Sequence, residues 1–172
     1  MTLPRLVACA PAFGAALLST TLIGLADESP GMPLMRLVVG HWQCSYHGDD
    51  GSSTSTESNR IVNSFWMATS IEHSARPGHF PAHHHDVLTT YDATCRMWIL
   101  IHTGSRGSYG IEKSYSSPDA RSQRWITEYP PQKVDDGYTI VDLSRDRIVR
   151  RQYWTETGRP QTSTEICLRQ LA

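Results

Sequence analysis

The sequence predicts an all-β fold of about ten antiparallel strands. The strand pattern suits an up-and-down barrel or a sandwich, and the residues at the two ends of the domain favour the barrel. Short runs of alternating apolar and polar residues are separated by clusters of Gly, Pro, Asp and Ser, as in hairpin-connected strands. After residue 26, no convincing amphipathic helix interrupts this pattern. The predicted strands are residues 41–47, 54–62, 64–73, 85–91, 97–102, 109–115, 124–129, 138–143, 148–154 and 163–169.

Each element follows from a local pattern. A brief helical turn over residues 32–39 leads into the first strand, where Trp42 and Cys44 share one face. Residues 54–62 are polar and alternating, which predicts an exposed strand, whereas residues 97–102 are mostly apolar. Between the strands, Pro and Gly residues end the periodic runs and predict loops.

The N-terminal segment is predicted to be a targeting signal. Arg5 precedes an apolar, small-residue run that ends at Ala26, as in a signal peptide cleaved after that residue. An uncleaved anchor and a lipoprotein modified at Cys9 are weaker alternatives. The predicted organisation is a signal peptide over 1–26, a tether over 27–36 and a barrel domain over 37–172. We therefore expect a periplasmic or secreted protein without membrane contact after cleavage.

The total of 172 residues is the size of one domain with a sizeable core. The formal net charge of −1 gives no electrostatic reason to expect a nucleic-acid partner. The sequence therefore predicts one folded domain without nucleic-acid binding.

The two ends of the barrel domain carry a matching pattern. If the first and last strands are antiparallel neighbours, one register places Cys44 opposite Cys167 and also Trp42 opposite Arg169. A disulfide and an arginine–indole contact would then lie side by side where the barrel closes. Removal of residues 1–26 leaves three cysteines, so this pairing leaves Cys95 as a free thiol.

These end residues resemble the calycin superfamily, which includes lipocalins and fatty-acid-binding proteins. More narrowly, the chain is similar to small exported bacterial proteins of unknown function with lipocalin-like barrels. The matching residues are Gly40, Trp42, Cys44, Tyr91, Asp92, Cys167 and Arg169. The resemblance implies that Trp42 plugs the closed end of the barrel and that Arg169 lies over it. Heme-binding nitrobindin-type barrels use a histidine near the C-terminus as the iron ligand. This sequence has no histidine after His102, which argues against heme binding of that type.

A histidine-rich segment is the strongest local signal for metal chemistry. His79 is followed by His83-His84-His85-Asp86, and imidazole with carboxylate suits Zn or Cu. If His83 and His85 begin a strand, they share a face and can chelate one Zn ion, with His79, His73 or His102 as the third ligand. The alternative is a solvated loop that is rich in histidine by chance.

The preferred functional hypothesis is a protein that binds a small apolar or lipid-like molecule inside the barrel. The residues predicted to contact this ligand are His102, Trp98, Tyr109, Trp125 and Trp66. The alternative is that the aromatic side chains only fill the core. A further alternative is a cofactor-free enzyme with His102 as a general base. No catalytic motif in the sequence is strong.

Overall fold

The structure is a computed structural model that describes residues 28–48, 51–76, 81–130, 135–156 and 159–171. Within them lie one short helix, α1 (Met32–Val38), and ten strands. The strands are β1 (Gly40–Gly48), β2 (Gly51–Val62), β3 (Trp66–His73), β4 (His83–Asp92), β5 (Met97–Gly104), β6 (Tyr109–Ser114), β7 (Ser122–Tyr129), β8 (Asp135–Leu143), β9 (Arg147–Glu156) and β10 (Arg159–Arg169). Each strand pairs with the next, and β10 pairs with β1, so the antiparallel sheet closes into a barrel. This confirms the predicted fold class.

The seam between β1 and β10 has the register that the two ends of the sequence predict. Cys44 lies opposite Cys167 and forms a disulfide with it, and Trp42 lies opposite Arg169. The guanidinium carbon of Arg169 stands 4.1 Å from the centre of a Trp42 ring. The same guanidinium donates a 2.6 Å hydrogen bond to the carbonyl of Val39. The seam is therefore closed by a covalent bond and a cation–π contact, as predicted.

Gly40 is needed where the chain enters β1. Its φ of +129° is one that residues with side chains rarely adopt. A Cβ at this position would also collide with the guanidinium of Arg169. The glycine therefore gives Arg169 access to the Trp42 ring.

Helix α1 closes one end of the barrel. Met32, Met35 and Val38 recur every three residues and are 0%, 2% and 8% exposed, so one helix face is buried in the barrel. Pro33 in the first turn suits a helix start. The indole nitrogen of Trp42 donates a 2.8 Å hydrogen bond to the carbonyl of Val38 and fixes the end of the helix. The buried core therefore begins within α1, at Met32.

Strand β2 differs from the exposed strand that its polar sequence predicts. Ser55, Glu57 and Asn59 alternate toward the interior and are 7%, 5% and 4% exposed. The amide of Asn59 donates a 3.1 Å hydrogen bond to the carbonyl of Val38 at the end of α1. These polar residues can lie inside the barrel because they bind groups on other elements. Those elements are distant in sequence, so the local pattern did not indicate burial.

Cys95, after β4, is disulfide-bonded. The expectation of a free thiol at this position is therefore wrong. Among the described residues, no helix has the length and apolar character needed to cross a membrane.

Candidate functional site

The apolar part of the barrel interior lies against α1 and contains a cavity of about 90 Å³. Trp98 and Trp125, both predicted to contact a ligand, stand in its wall and are 1% and 4% exposed. Other apolar lining residues are Met35, Met67, Leu100 and Ile140. The cavity is thus bounded by large side chains that also form the core.

Neutral polar groups face the same cavity. The Tyr138 hydroxyl donates a 3.0 Å hydrogen bond to the side-chain oxygen of Gln123, and both residues line the cavity. Burial raises the pKa of Tyr138, so its hydroxyl stays protonated. This pair gives an otherwise apolar space one polar side.

A buried ionic cluster, formed by Glu57, Arg150 and Glu165, adjoins the cavity. The guanidinium of Arg150 donates to both oxygens of Glu57 at 2.7 and 3.0 Å and to Glu165 at 2.8 Å. Burial raises the pKa of Glu165. Burial also opposes ionisation of Glu57, but Arg150 outweighs it and lowers the pKa of Glu57. Because two carboxylates share one guanidinium, the ionic cluster has no net positive charge.

Four histidines occupy the inner face of the barrel at the end opposite α1. We call His73, His83, His85 and His102 the histidine cluster. His73 on β3 lies opposite His83 on β4, and their rings stack with centres 4.5 Å apart. The ring of His85 lies 5.4 Å from that of His73 and 5.0 Å from that of His83. Three imidazoles therefore form a compact triangle.

His102 on β5 stands at the edge of this triangle. Its ring centre is 6.5 Å from that of His85, and its Nδ1 is 3.9 Å from Oε1 of Glu112 on β6. Burial lowers the pKa of His102 and raises the pKa of Glu112, so both groups favour their neutral forms. Since 3.9 Å exceeds hydrogen-bond length, this pair is not assembled for proton transfer.

Two glycines leave space for these histidines. A Cβ at Gly104, which lies opposite His85, would come within 3.1 Å of the His85 ring. A Cβ at Gly110, opposite His102, would collide with the His102 ring. The neighbouring strands thus make room for imidazoles against the barrel wall.

The other predicted site residues lie elsewhere. Tyr109 alternates with inward-facing Gly110, is 54% exposed and bonds to the Tyr129 hydroxyl at 3.0 Å on the outer surface. Trp66 alternates with inward-facing Met67 and is half-buried on the outer face. Neither residue lines the cavity against α1. The predicted ligand His79 lies outside the described residues.

His84 lies on the outer face, between the inward-facing His83 and His85. Its Nδ1 is 2.8 Å from a carboxylate oxygen of Glu72, and its Nε2 is 3.0 Å from one of Asp86. The hydrogen bond with Asp86 raises the pKa of His84. The two faces of β4 thus hold imidazoles with opposite shifts of pKa, since the inward-facing His85 has a pKa lowered by burial.

A second group of ligand-type atoms offers no metal site. Within the described ranges, atoms of Cys44, Glu57, Glu165 and Cys167 lie within 4.8 Å of one another. The two sulfurs are bonded to each other, and Arg150 occupies the carboxylates. This group is therefore structural.

The ionic cluster was missed by sequence reasoning, although part of its signal was present. Glu165 stands two residues before the buried Cys167 on the same strand and so shares its inward face. Arg150 stands two residues after the buried Ile148 on β9 and so shares the inward face of Ile148. Inward-facing charges of opposite sign on adjacent strands predict a buried ion pair, but the bond to Glu57, 93 residues away, needs the closed barrel.

Comparison with known proteins rests on structure alone, since no protein-family model and no curated protein sequence matches this chain. The chain resembles Rv2717c from M. tuberculosis with 12% identity and a TM-score of 0.56, over 84% of this chain and 100% of that one. It resembles the S-type phycobiliprotein lyase CPES from Guillardia theta with 14% identity and a TM-score of 0.51, over 83% of this chain and 96% of that one. The fold is that of a lipocalin-like barrel. At sequence identities of 12% and 14%, similarity to these structures establishes the fold alone. The function of the lipocalin-like barrel depends on the residues in its interior.

Proposed function

We propose that this lipocalin-like barrel binds a small, mainly apolar molecule in its interior. The observation that supports the proposal is the cavity against α1, which has aromatic and aliphatic walls and a polar side formed by Gln123, Tyr138 and Arg150. Small-molecule sites typically combine apolar walls with a few placed polar groups that set orientation. We expect the polar end of the ligand to face Gln123 and Tyr138.

The volume of the cavity limits the ligand. At about 90 Å³ it lies well below the roughly 300–1,000 Å³ of a pocket for a drug-sized molecule. A group of a few heavy atoms fits without rearrangement. A single six-membered ring needs small shifts of the lining side chains, whereas a long lipid chain would require α1 to move. The proposed ligand is therefore a compact apolar molecule or the apolar end of a larger one.

The charge of the interior favours a neutral ligand. Arg150 is the cation that lines the cavity, and its guanidinium is bound by both Glu57 and Glu165. A ligand carboxylate would have to compete with these two carboxylates and would itself lose hydration. We therefore propose that an alcohol is bound in preference to the matching carboxylate.

Export is part of the proposal. The Cys44–Cys167 disulfide suits an oxidising compartment, in agreement with a signal peptide over residues 1–26. Expression of the full chain in a bacterial host, followed by fractionation and intact mass measurement, tests this. Protein that stays in the cytoplasm, or keeps residues 1–26 after export, would contradict it.

Binding can be tested with three probes of similar shape: cyclohexanol, methylcyclohexane and cyclohexanecarboxylate. Each is titrated while the fluorescence of the tryptophans is recorded, because Trp98 and Trp125 line the cavity. The expected result is a saturable change with cyclohexanol and a weaker one with the carboxylate. No saturable change with any probe would refute the proposed site.

Two variants on β5 locate the binding. Leu100 faces the cavity, whereas Ile101 faces outward and is 36% exposed. We expect L100F to fill the cavity and abolish the fluorescence change, and I101F to leave it intact. Circular dichroism confirms that both variants fold, since overpacking a core costs about 1–3 kcal/mol. Equal binding by L100F and the wild type would place the probe outside this cavity.

A further inference from the structure

The histidine cluster has the dimensions of a metal site. Zn–N distances are about 2.0–2.1 Å, which places an imidazole centre about 3.2 Å from the ion and two centres about 5.2 Å apart at the tetrahedral angle. The observed separations among His73, His83 and His85 are 4.5, 5.0 and 5.4 Å. We propose that these three histidines bind one divalent transition-metal ion, with Zn²⁺ as the preferred ion. This site is separate from the apolar cavity and does not depend on the function proposed for it.

The surroundings also orient one ring. Nδ1 of His83 lies 3.1 Å from the carbonyl oxygen of Pro81, so a proton on Nδ1 leaves the lone pair on Nε2. Such a bond from the second ring nitrogen to a backbone carbonyl or carboxylate is usual for metal-binding histidines. Gly104, opposite His85, leaves room for that ring against the wall.

Closure of the site requires rotation of His73 or His83, because their stacked rings are 11° from parallel and do not direct their nitrogens at one point. Within the described part of the chain, the imidazole nitrogens of these histidines do not lie within 4.8 Å of one another as a set of three. The terminal torsion of histidine has a broad energy profile, so turning a ring costs on the order of 1 kcal/mol. Structural Zn²⁺ sites bind with roughly 10–16 kcal/mol, and such rotations are small by comparison.

Three protein ligands leave one position of a tetrahedral ion open. A water molecule is the expected fourth ligand. His102 adjoins the three ligands, since its ring centre is 6.5 Å from that of His85. Three histidines with an exchangeable fourth ligand is an arrangement that occurs in catalytic zinc sites.

The outer face of β4 offers a competing group. His84 contacts Glu72 and Asp86, and one imidazole with two carboxylates can hold a metal loosely at the surface. The two arrangements differ in donor atoms: three nitrogens inside, against one nitrogen and carboxylate oxygens outside. This difference can be measured without any substitution.

The experiment uses the tag-free, oxidised protein, freed of metal by a chelator and dialysed against Zn²⁺. We expect one equivalent of bound Zn²⁺ and an X-ray absorption spectrum with three imidazole ligands. Less than about a tenth of an equivalent would overturn the proposal, given the affinities of true zinc sites. A spectrum with one imidazole and carboxylate oxygens would also overturn it and assign the metal to His84.

Single variants then test the ligands. H73Q, H83Q and H85Q should each weaken Zn²⁺ binding by more than the roughly 10–100-fold that loss of a supporting residue costs. H84Q, on the same strand but facing outward, is the matched control and should bind as the wild type does. Full affinity in H73Q, or loss in H84Q, contradicts the proposal. Circular dichroism checks the fold of each variant, and the absorption spectrum of the wild type decides the question if a variant does not fold.

Discussion

Replacement of Arg150 by methionine tests the buried ionic cluster. The guanidinium makes three hydrogen bonds of 2.7, 2.8 and 3.0 Å to carboxylates whose side chains are 4% and 9% exposed. Methionine keeps much of the volume but removes every donor. The variant R150M therefore leaves Glu57 and Glu165 buried without their counter-charge.

The magnitude follows from that loss. Removing one partner of a buried ion pair costs about 3–5 kcal/mol, because an uncompensated charge stays in the interior. Domains of this size have a free energy of unfolding of about 5–15 kcal/mol, so R150M should fold but unfold at much lower urea concentration. At neutral pH we expect a loss of about 4 kcal/mol.

The pH dependence gives the prediction its sign. In the wild type, Arg150 lowers the pKa of Glu57, so its contribution to stability is present above the unfolded value of 4.5 and is lost as the pH falls. In R150M burial raises the pKa of both carboxyls without Arg150 to oppose it. Protonation of the carboxyls then removes the penalty of burying their charge, so the loss of stability relative to the wild type should shrink as the pH falls from 7 to 4.5 and below.

Urea unfolding followed by tryptophan fluorescence at pH 7 and pH 4 measures both effects with the disulfides intact. Comparison with the wild type at each pH cancels the contributions of other titrating groups. A loss below about 1 kcal/mol at pH 7 would show that the cluster is not buried as described. An equal loss at both pH values would show that carboxylate charge is not its cause.

Three further predictions concern the seam and the outer surface. The variant C44A/C167A should lose about 5 kcal/mol of stability in urea unfolding, because the disulfide spans 123 residues; a loss below about 1 kcal/mol would contradict the loop-entropy argument. R169Q removes the contact 4.1 Å from the Trp42 ring and should cost about 1–3 kcal/mol in the same assay, without changing binding of cyclohexanol. Y109F should leave stability within about 0.5 kcal/mol and probe binding unchanged, and weaker binding would return Tyr109 to the ligand site.

The sequence was most informative where the structure repeats with period two. Alternation and turn residues predicted ten strands, and the Trp42–Cys44 and Cys167–Arg169 pairs predicted the register at the seam. These features depend on local patterns or on one symmetric pairing, which a single sequence contains. Barrel closure then follows, because the two ends have to meet for these pairs to form.

Contacts between distant strands were harder to predict. Residues 54–62 suggested an exposed strand, since nothing nearby in sequence explains a buried Glu57, and its partner Arg150 lies 93 residues away. Tyr109 and Trp66 are aromatic, but hydrophobicity alone does not tell which face of a strand lies inside. The outward position of Tyr109 becomes clear only from its register against His102 and Thr103.

The histidine cluster falls between these cases. Alternation separates His83 and His85 from His84, and the sequence named His73 among three candidates for a third ligand. The register of β3 against β4 selects His73, because it places His73 opposite His83.

The ionic cluster also bears on why the interior is polar. Replacing a buried ion cluster by apolar residues of similar volume is often neutral or stabilising. We therefore expect the free energy of unfolding of E57L/R150M/E165L to lie within about 2 kcal/mol of that of the wild type. The register of the seam does not depend on the cluster, because the Cys44–Cys167 disulfide already fixes it. Because Arg150 lines the cavity, the role we propose for the ionic cluster is ligand selection. The triple variant should therefore bind methylcyclohexane more tightly relative to cyclohexanol than the wild type does, and an unchanged ratio would separate the ionic cluster from binding.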